Sequence, residues 1–222
     1  MIVAIDGPAG AGKSTISRMV AGRLGWTYLD TGAIYRTVTL LALEQGIGPA
    51  DGEELGRLAR HLEIGFKPGP GGSPRVFAGC REVTEEIRRQ EVTANVSEVS
   101  AHREVREALL DKQRACTDVG NVIIDGRDIG TVVCPRAEVK IFLTASVPER
   151  GRRRRLELEE KGTLVTQERM EAEIAARDAY DSGREVAPLK QAEDAVLVDT
   201  TEISIEEVVD RVAQIIEKKL VP

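Results

Sequence analysis

A chain of 222 residues, 41% of them hydrophobic, suits one large domain or one domain with a small insertion, and it can bury a core without disulfides. A net charge of −6 argues against a general nucleic-acid binder, and two isolated histidines, His61 and His102, argue against a zinc site or histidine-based catalysis. Three cysteines without C-x-x-C spacing suit free thiols in a reducing cytoplasm, and no stretch has the apolar length of a membrane span or the pattern of a secretory signal.

The opening apolar run stops at Asp6 and predicts a buried strand over residues 1–6. Gly7-Pro8-Ala9-Gly10-Ala11-Gly12-Lys13-Ser14 follows at once and fits G-x-x-x-x-G-K-[ST] between a strand and a helix predicted over 14–24. Glycines let the backbone curl so that successive N–H groups cradle phosphate oxygens, and the helix start adds its positive end. Lys13 then reaches the β- and γ-phosphates and the Ser14 hydroxyl ligates Mg²⁺, so a nucleoside triphosphate is the expected ligand, with Thr15 beside it.

Further strands are predicted at 27–29, 121–125, 139–143 and 195–198, and helices at 33–45, 103–115, 148–161, 167–180 and 205–219. Asp51 with Glu54 opens a short helix reaching His61, and Ser204 with Glu207 is a capping box for the last one. Residues 62–80 break the rhythm. Leu62–Phe66 alternates, Pro68 to Pro74 turns, and Arg75-Val76-Phe77 returns, which predicts an antiparallel hairpin followed by a polar helical stretch over 84–98. The whole is read as a three-layer α/β unit with a mainly parallel five-stranded sheet. Its core segments are 1–61, 99–147 and 167–222, with an insertion at 62–98 and a helical lid at 148–166.

Arginines then separate the triphosphate-binding classes. Arg36 and Arg127 each follow a strand, a run lies between Arg150 and Arg155, and Arg177 and Arg184 share a later helix. Phosphoryl transfer needs fixed positive charge around the moving group, and no guanine-reading N-K-x-D accompanies the phosphate loop. Arg150, Arg153 and Arg154 share a face by i, i+3, i+4 spacing and are the lid candidates; a solvated face paired with nearby glutamates fits the same run. Arg177, Asp181 and Arg184 form one stripe that reads equally as a ligand grip or a surface salt-bridge ladder. The strand-end Asp125 is a minor candidate for holding Mg²⁺ through water.

The phosphate loop, Asp30-Thr31-Gly32-Ala33-Ile34-Tyr35-Arg36 and Asp125-Gly126-Arg127-Asp128-Ile129-Gly130-Thr131 together resemble the bacterial cytidylate kinase family. Glu85-Glu86-Ile87-Arg88, Val105-Arg106-Glu107-Ala108-Leu109-Leu110, Arg177-Asp178 and Ala187-Pro188-Leu189 extend the resemblance over nearly the whole chain. It implies a P-loop kinase fold, an insertion that binds CMP, and transfer of the ATP γ-phosphoryl group to CMP and dCMP with Mg²⁺. It further implies that Arg36, Arg127 and Arg184 grip the CMP phosphate, that Ser97, Arg106 and Asp128 read cytosine, and that Arg177 and Asp181 hold the sugar. Thr31 and Tyr35 line that pocket, Lys13, Arg127 and Arg153 act on the transferred group, and a monomer is expected. Adenine is left to the loop around Asp199 and Thr200. The rivals are a P-loop kinase for another acceptor (UMP, AMP, shikimate or dephospho-coenzyme A) and a nucleotide-switched binding module.

Overall fold

The structure, a computed structural model, describes residues 1–118, 120–160 and 162–220. The chain begins with β1 (Ile2–Asp6), α1 (Lys13–Leu24), β2 (Thr27–Asp30), α2 (Thr31–Glu44) and α3 (Gly52–His61). Three antiparallel strands, β3 (Ile64–Lys67), β4 (Arg75–Ala78) and β5 (Arg81–Glu82), precede α4 (Gln90–Val99) and α5 (Arg103–Ala115). The alternation resumes with β6 (Val122–Gly126), β7 (Val139–Thr144), α6 (Val147–Glu160), α7 (Gln167–Gly183), β8 (Val196–Asp199) and α8 (Ile205–Leu220).

The main sheet runs β2-β6-β1-β7-β8, every neighbouring pair parallel. Its central strands are apolar on consecutive positions because helices cover both faces. Val3 and Ile5 face the cluster that α1 and α8 complete with Ile16, Val20, Val212 and Ile216, whereas Ala4 faces Leu29, Ile124 and Ile129 on the other side. A second core joins α2, α3, α4 and α5 through Ile34, Val38, Leu55, Val96, Val105 and Leu109. The predicted 62–98 segment therefore shares its core with the helices that flank it. Val76, Val83, Ile87 and Val92 seat the hairpin and α4 on α2.

The ends of the five main-sheet strands lie within a residue of expectation, β3 starts two residues after the expected Leu62, and the Asp51 cap and the Ser204–Glu207 capping box both form. The stretch 84–98 is two pieces, a 3₁₀ turn at Glu86–Arg88 and α4, separated by an extended Arg89. Strand β5, only two residues long, had no pattern to announce it. Helix α7 runs on to Gly183. Lys161, the expected end of the lid helix, and residues 221–222 of the last expected core segment lie outside the described residues.

Helix α6 buries only Arg150 and Gly151, so no apolar stripe fixes it. Its contact with α7 depends on Gly151, where a Cβ would come within 2.9 Å of Glu171 Cγ. Among the described residues, no helix is long and apolar enough to cross a membrane.

Candidate active site

The strand ends of β1, β2, β6 and β7 converge, and the loops that leave them build the site, as in other open parallel sheets. Between β1 and α1 the phosphate loop makes left-handed turns at Gly10 and Gly12, with φ of 76° and 86°. Gly7 has a stricter reason to lack a side chain: a Cβ there would sit 1.9 Å from the Leu143 carbonyl oxygen of β7. Lys13 folds back over the loop and donates to the Pro8 carbonyl at 2.8 Å. Burial lowers its proton affinity, and the neighbouring Arg127 lowers it further.

Ser14 opens α1 and donates its hydroxyl to Asp125 Oδ2 at 2.8 Å, while Tyr28 donates to Oδ1 at 3.2 Å. Thr31 donates to the Asp125 carbonyl at 2.7 Å and so ties the start of α2 to the end of β6. Burial raises the Asp125 carboxyl above the usual carboxylate range, with Asp30 adding to the effect. A hydroxyl beside one carboxylate suits Mg²⁺, which takes few protein ligands and keeps waters and phosphate oxygens in its shell.

Arginines from several elements gather near this loop, with Arg127 and Arg177 acting directly on Lys13. Arg36, on α2, donates to the Ile87 carbonyl at 3.1 Å and to the Thr93 hydroxyl at 2.8 Å. Arg127, just past β6, pairs with Asp181 of α7 at 3.0 Å. Burial pushes Arg36 and Arg177 each down to about 10, and both feel the positive charge of Arg127 and Arg154. Arg177 also bears on Lys13, and its buried Nε has no hydrogen-bond partner among the described residues. Such repulsion among buried cations, only partly offset by Asp181 and Asp30, is what a site for polyanions looks like before its ligands arrive.

A second cluster lies beside the first. Arg106 of α5 and Asp128 form a buried ion pair, Arg106 also donates to the Ser100 carbonyl at 2.9 Å, and its guanidinium lies 5.2 Å from the Tyr35 ring centroid. Tyr35, pushed up to about 12 by burial, reaches Gln113 at 3.4 Å. Arg184 belongs with this cluster: it stands 3.8 Å from Asp128 and donates to the Ala187 carbonyl at 2.6 Å. Its buried Nη2 makes no hydrogen bond among the described residues. Ser97 is half-buried on α4, and its carbonyl accepts the Ser100 hydroxyl at 3.0 Å.

The three arginines of α6 that share a face part company. Arg150 is buried, donates to the Ala9 carbonyl of the phosphate loop at 2.9 Å and pairs with Asp178 of α7 at 2.5 Å. Arg153 holds Glu149 at 2.8 Å and donates to the Thr200 hydroxyl and carbonyl at 3.0 and 2.6 Å. Arg154 pairs with Glu157 at 2.6 Å. Arg152 and Arg155 bind Glu149 and Glu159, the solvated pairing that the run also suggested. A small cleft lies between Ala11, Gly12 and Thr15 on one side and Arg153, Thr200 and Ile203 on the other.

Sequence reasoning gave no role to Asp6, Thr93 or Asp178. Asp6 had one signal, a charged residue closing an apolar strand directly before the loop. Asp178 stood in a quoted motif without a partner.

The cytidylate kinase family profile matches residues 3–218. The chain belongs to that family. It is 52% identical to the cytidylate kinase of Exiguobacterium sibiricum over 98% of this chain and 97% of that one. It is 52% identical to that of Carboxydothermus hydrogenoformans over 99% and 98%. A solved structure of an uncharacterised protein from Eubacterium ventriosum shares the fold with a TM-score of 0.54 at 10% identity, covering 98% of each chain. The protein is accordingly a kinase of the nucleotide-binding α/β class.

Proposed function

We propose that this enzyme transfers the γ-phosphoryl group of ATP to CMP, and to dCMP, giving the diphosphate and ADP. One observation carries the reading: Arg127 and Arg177 lower the proton affinity of the buried Lys13, and Arg127 and Arg154 lower that of the buried Arg36 and Arg177, with Asp128 of the buried Arg106–Asp128 pair following directly on Arg127 in the chain. Two phosphate-bearing ligands would neutralise the first group, and a base with both donors and acceptors would engage the second.

In this reading residues 7–15 hold the ATP phosphates, with Lys13 turning from the Pro8 carbonyl to the β- and γ-oxygens. Bound Mg²⁺, held by Ser14 and backed by Asp125, supplies charge neutralisation between the phosphates. The cleft at Thr200 and Arg153 receives the adenine end, and Arg153 with Arg154 lies over the transferred group. Arg36, Arg127 and Arg184 receive the CMP phosphate, Arg177 and Asp181 the ribose, and Thr31 and Tyr35 wall the pocket.

Cytosine offers an N4 amine donor and acceptors at N3 and O2. Asp128 accepts from N4, and Arg106 with Ser97 donates to the acceptor edge. No general base is required, because a phosphate monoester has a second pKa of about 6 and its attacking oxygen is already ionised. Catalysis is then alignment of two anions and suppression of their repulsion. The insertion at 62–98 closes on CMP and the segment 148–166 on ATP. We place the enzyme in the cytoplasm as a monomer, in keeping with its three unpaired cysteines and overall negative charge.

An acceptor panel of CMP, dCMP, UMP and AMP with radiolabelled ATP tests this. CMP and dCMP should be labelled far faster than the others. Preference for UMP or AMP, or hydrolysis that ignores every acceptor, would overturn it.

A further inference from the structure

Asp6 closes β1 one residue before the phosphate loop and is 4% exposed. Its two carboxylate oxygens leave the loop alone and reach across the sheet. Oδ1 accepts the Ile129 N–H at 2.8 Å and Oδ2 accepts the Gly130 N–H at 2.7 Å. Those amides open a single π-helical turn, Ile129–Val133, and the first N–H groups of a helical turn have no acceptor within it. Asp128 stands in the capping position, but its side chain makes no cap hydrogen bond and goes to Arg106 instead. Asp6 thus caps the turn from a neighbouring strand and leaves the Asp128 carboxylate free for other work.

The turn is pressed onto its cap. Ile129 is fully buried in the core, and a Cβ on Gly130 would come within 3.1 Å of Lys140 Cδ and 3.4 Å of Asp6 Oδ2. Arg127 and Asp128 are the residues between the end of β6 and this turn, so the turn's position sets where both side chains start. Strand register helps: Asp6 pairs with Gly126, which places the carboxylate beside the loop it holds.

We infer that Asp6 is a positioning residue of the acceptor site, which fixes Arg127 and Asp128 through two backbone amides from the strand that feeds the phosphate loop. This rests on the assignment of Asp128 to the acceptor base. Both nucleotide sites are then built on one buried carboxylate, one through the chain and the other through hydrogen bonds. Burial raises the Asp6 carboxyl to about 6, and the two amides pull the other way, so it is ionised in an assay at about pH 8.

Asp6→Asn is the direct test, because the amide matches the carboxylate in size but offers only one acceptor, and its NH2 faces an N–H. Losing one charge-assisted bond at this place should raise KM for CMP at least about tenfold and reduce the CMP-over-UMP ratio of kcat/KM by a similar factor. KM for ATP should stay within about twofold, a split that a merely structural role would not give. Gly130→Ala serves as the second variant if Asp6→Asn does not fold. It pushes the turn off its cap while leaving Asp6 intact, and it should show the same split. Equal losses for ATP and CMP, or a retained CMP preference in the folded variants, would overturn the inference alone. A wild-type enzyme that does not favour CMP would overturn the functional reading and this inference with it.

Discussion

Replacing Asp128 by asparagine separates base reading from every other role in the site. The carboxylate is buried between Arg106 and Arg184, and one oxygen is already committed to Arg106. On the proposed assignment a bound cytosine finds at Asp128 an acceptor for its N4 amine, whereas uracil sets its O4 lone pairs against a negative oxygen. A mismatch of that kind in a closed site discriminates by about 10⁴. The asparagine amide has one oxygen and one NH2, so by turning it can meet either base. The CMP-over-UMP ratio of kcat/KM should therefore collapse to within about tenfold, mostly through a higher KM for CMP. Stability should fall too, because Arg106 loses its nearest counter-charge and is left with the Ser100 carbonyl, the Tyr35 ring and the more distant charge of Asp181. Breaking a buried pair costs about 3–5 kcal/mol, and in a chain of this size about 3 kcal/mol lowers Tm by about 6–12 °C. Steady-state kinetics with both acceptors, alongside thermal unfolding, reads both effects. A folded variant that keeps the wild-type CMP preference refutes the assignment of Asp128 to the base.

Lys13→Met should lower kcat by at least about a hundredfold while leaving Tm unchanged or raised, since it removes a buried amine repelled by Arg127; unimpaired turnover in the folded variant contradicts its role. Gly7→Ala drives a methyl into the Leu143 carbonyl oxygen, and soluble protein with a wild-type Tm would show that the strand–loop contact is misjudged. The expected result is loss of soluble protein or a Tm lower by at least about 10 °C. A pH effect follows from Asp6, whose carboxyl is raised by burial from its ordinary 3.8 to about 6. Protonation favours the folded form, so this group's contribution is lost as pH rises through the window from about 4 to 6 and stays lost above it, by about 3 kcal/mol. Lys13 and Asp128 also act on this carboxyl, so denaturant unfolding of the wild type is compared with Asp6→Asn. The difference between them should shrink by that amount between about pH 4 and 7, and a constant difference counts against the assignment.

What could be read from the sequence depended on how far each feature reaches along the chain. The phosphate loop was legible because its glycines, Lys13 and Ser14 act within one turn of backbone. Strands β1 and β6 were legible because burial on both faces requires an unbroken apolar run, and the hairpin because Pro68 to Pro74 cannot continue either strand. Arg150, Arg153 and Arg154 stand at i, i+3, i+4 on one helix, yet spacing could not reveal that their partners differ. Those depend on how α6 crosses the phosphate loop, which brings Arg150 to Ala9, and on where β8 ends, which brings Thr200 to Arg153. The bond from Asp6 to Ile129 spans 123 positions and follows only from the register of β1 against β6.

The same limit applies to the stripe of Arg177, Asp181 and Arg184, which spacing described equally well as a surface ladder. Burial separates the two readings. Asp181 is 3% exposed and answers Arg127 from another element, while the buried Nε of Arg177 has no hydrogen-bond partner among the described residues. A surface ladder pairs its own members in water at little cost, whereas a buried guanidinium nitrogen without an acceptor carries a desolvation penalty. On the proposed assignment a bound acceptor nucleotide completes Arg177 through its ribose and Arg184 through its phosphate, the two arginines whose buried nitrogens no described residue engages. Arg152 and Arg155, paired with glutamates along α6, carry no such requirement.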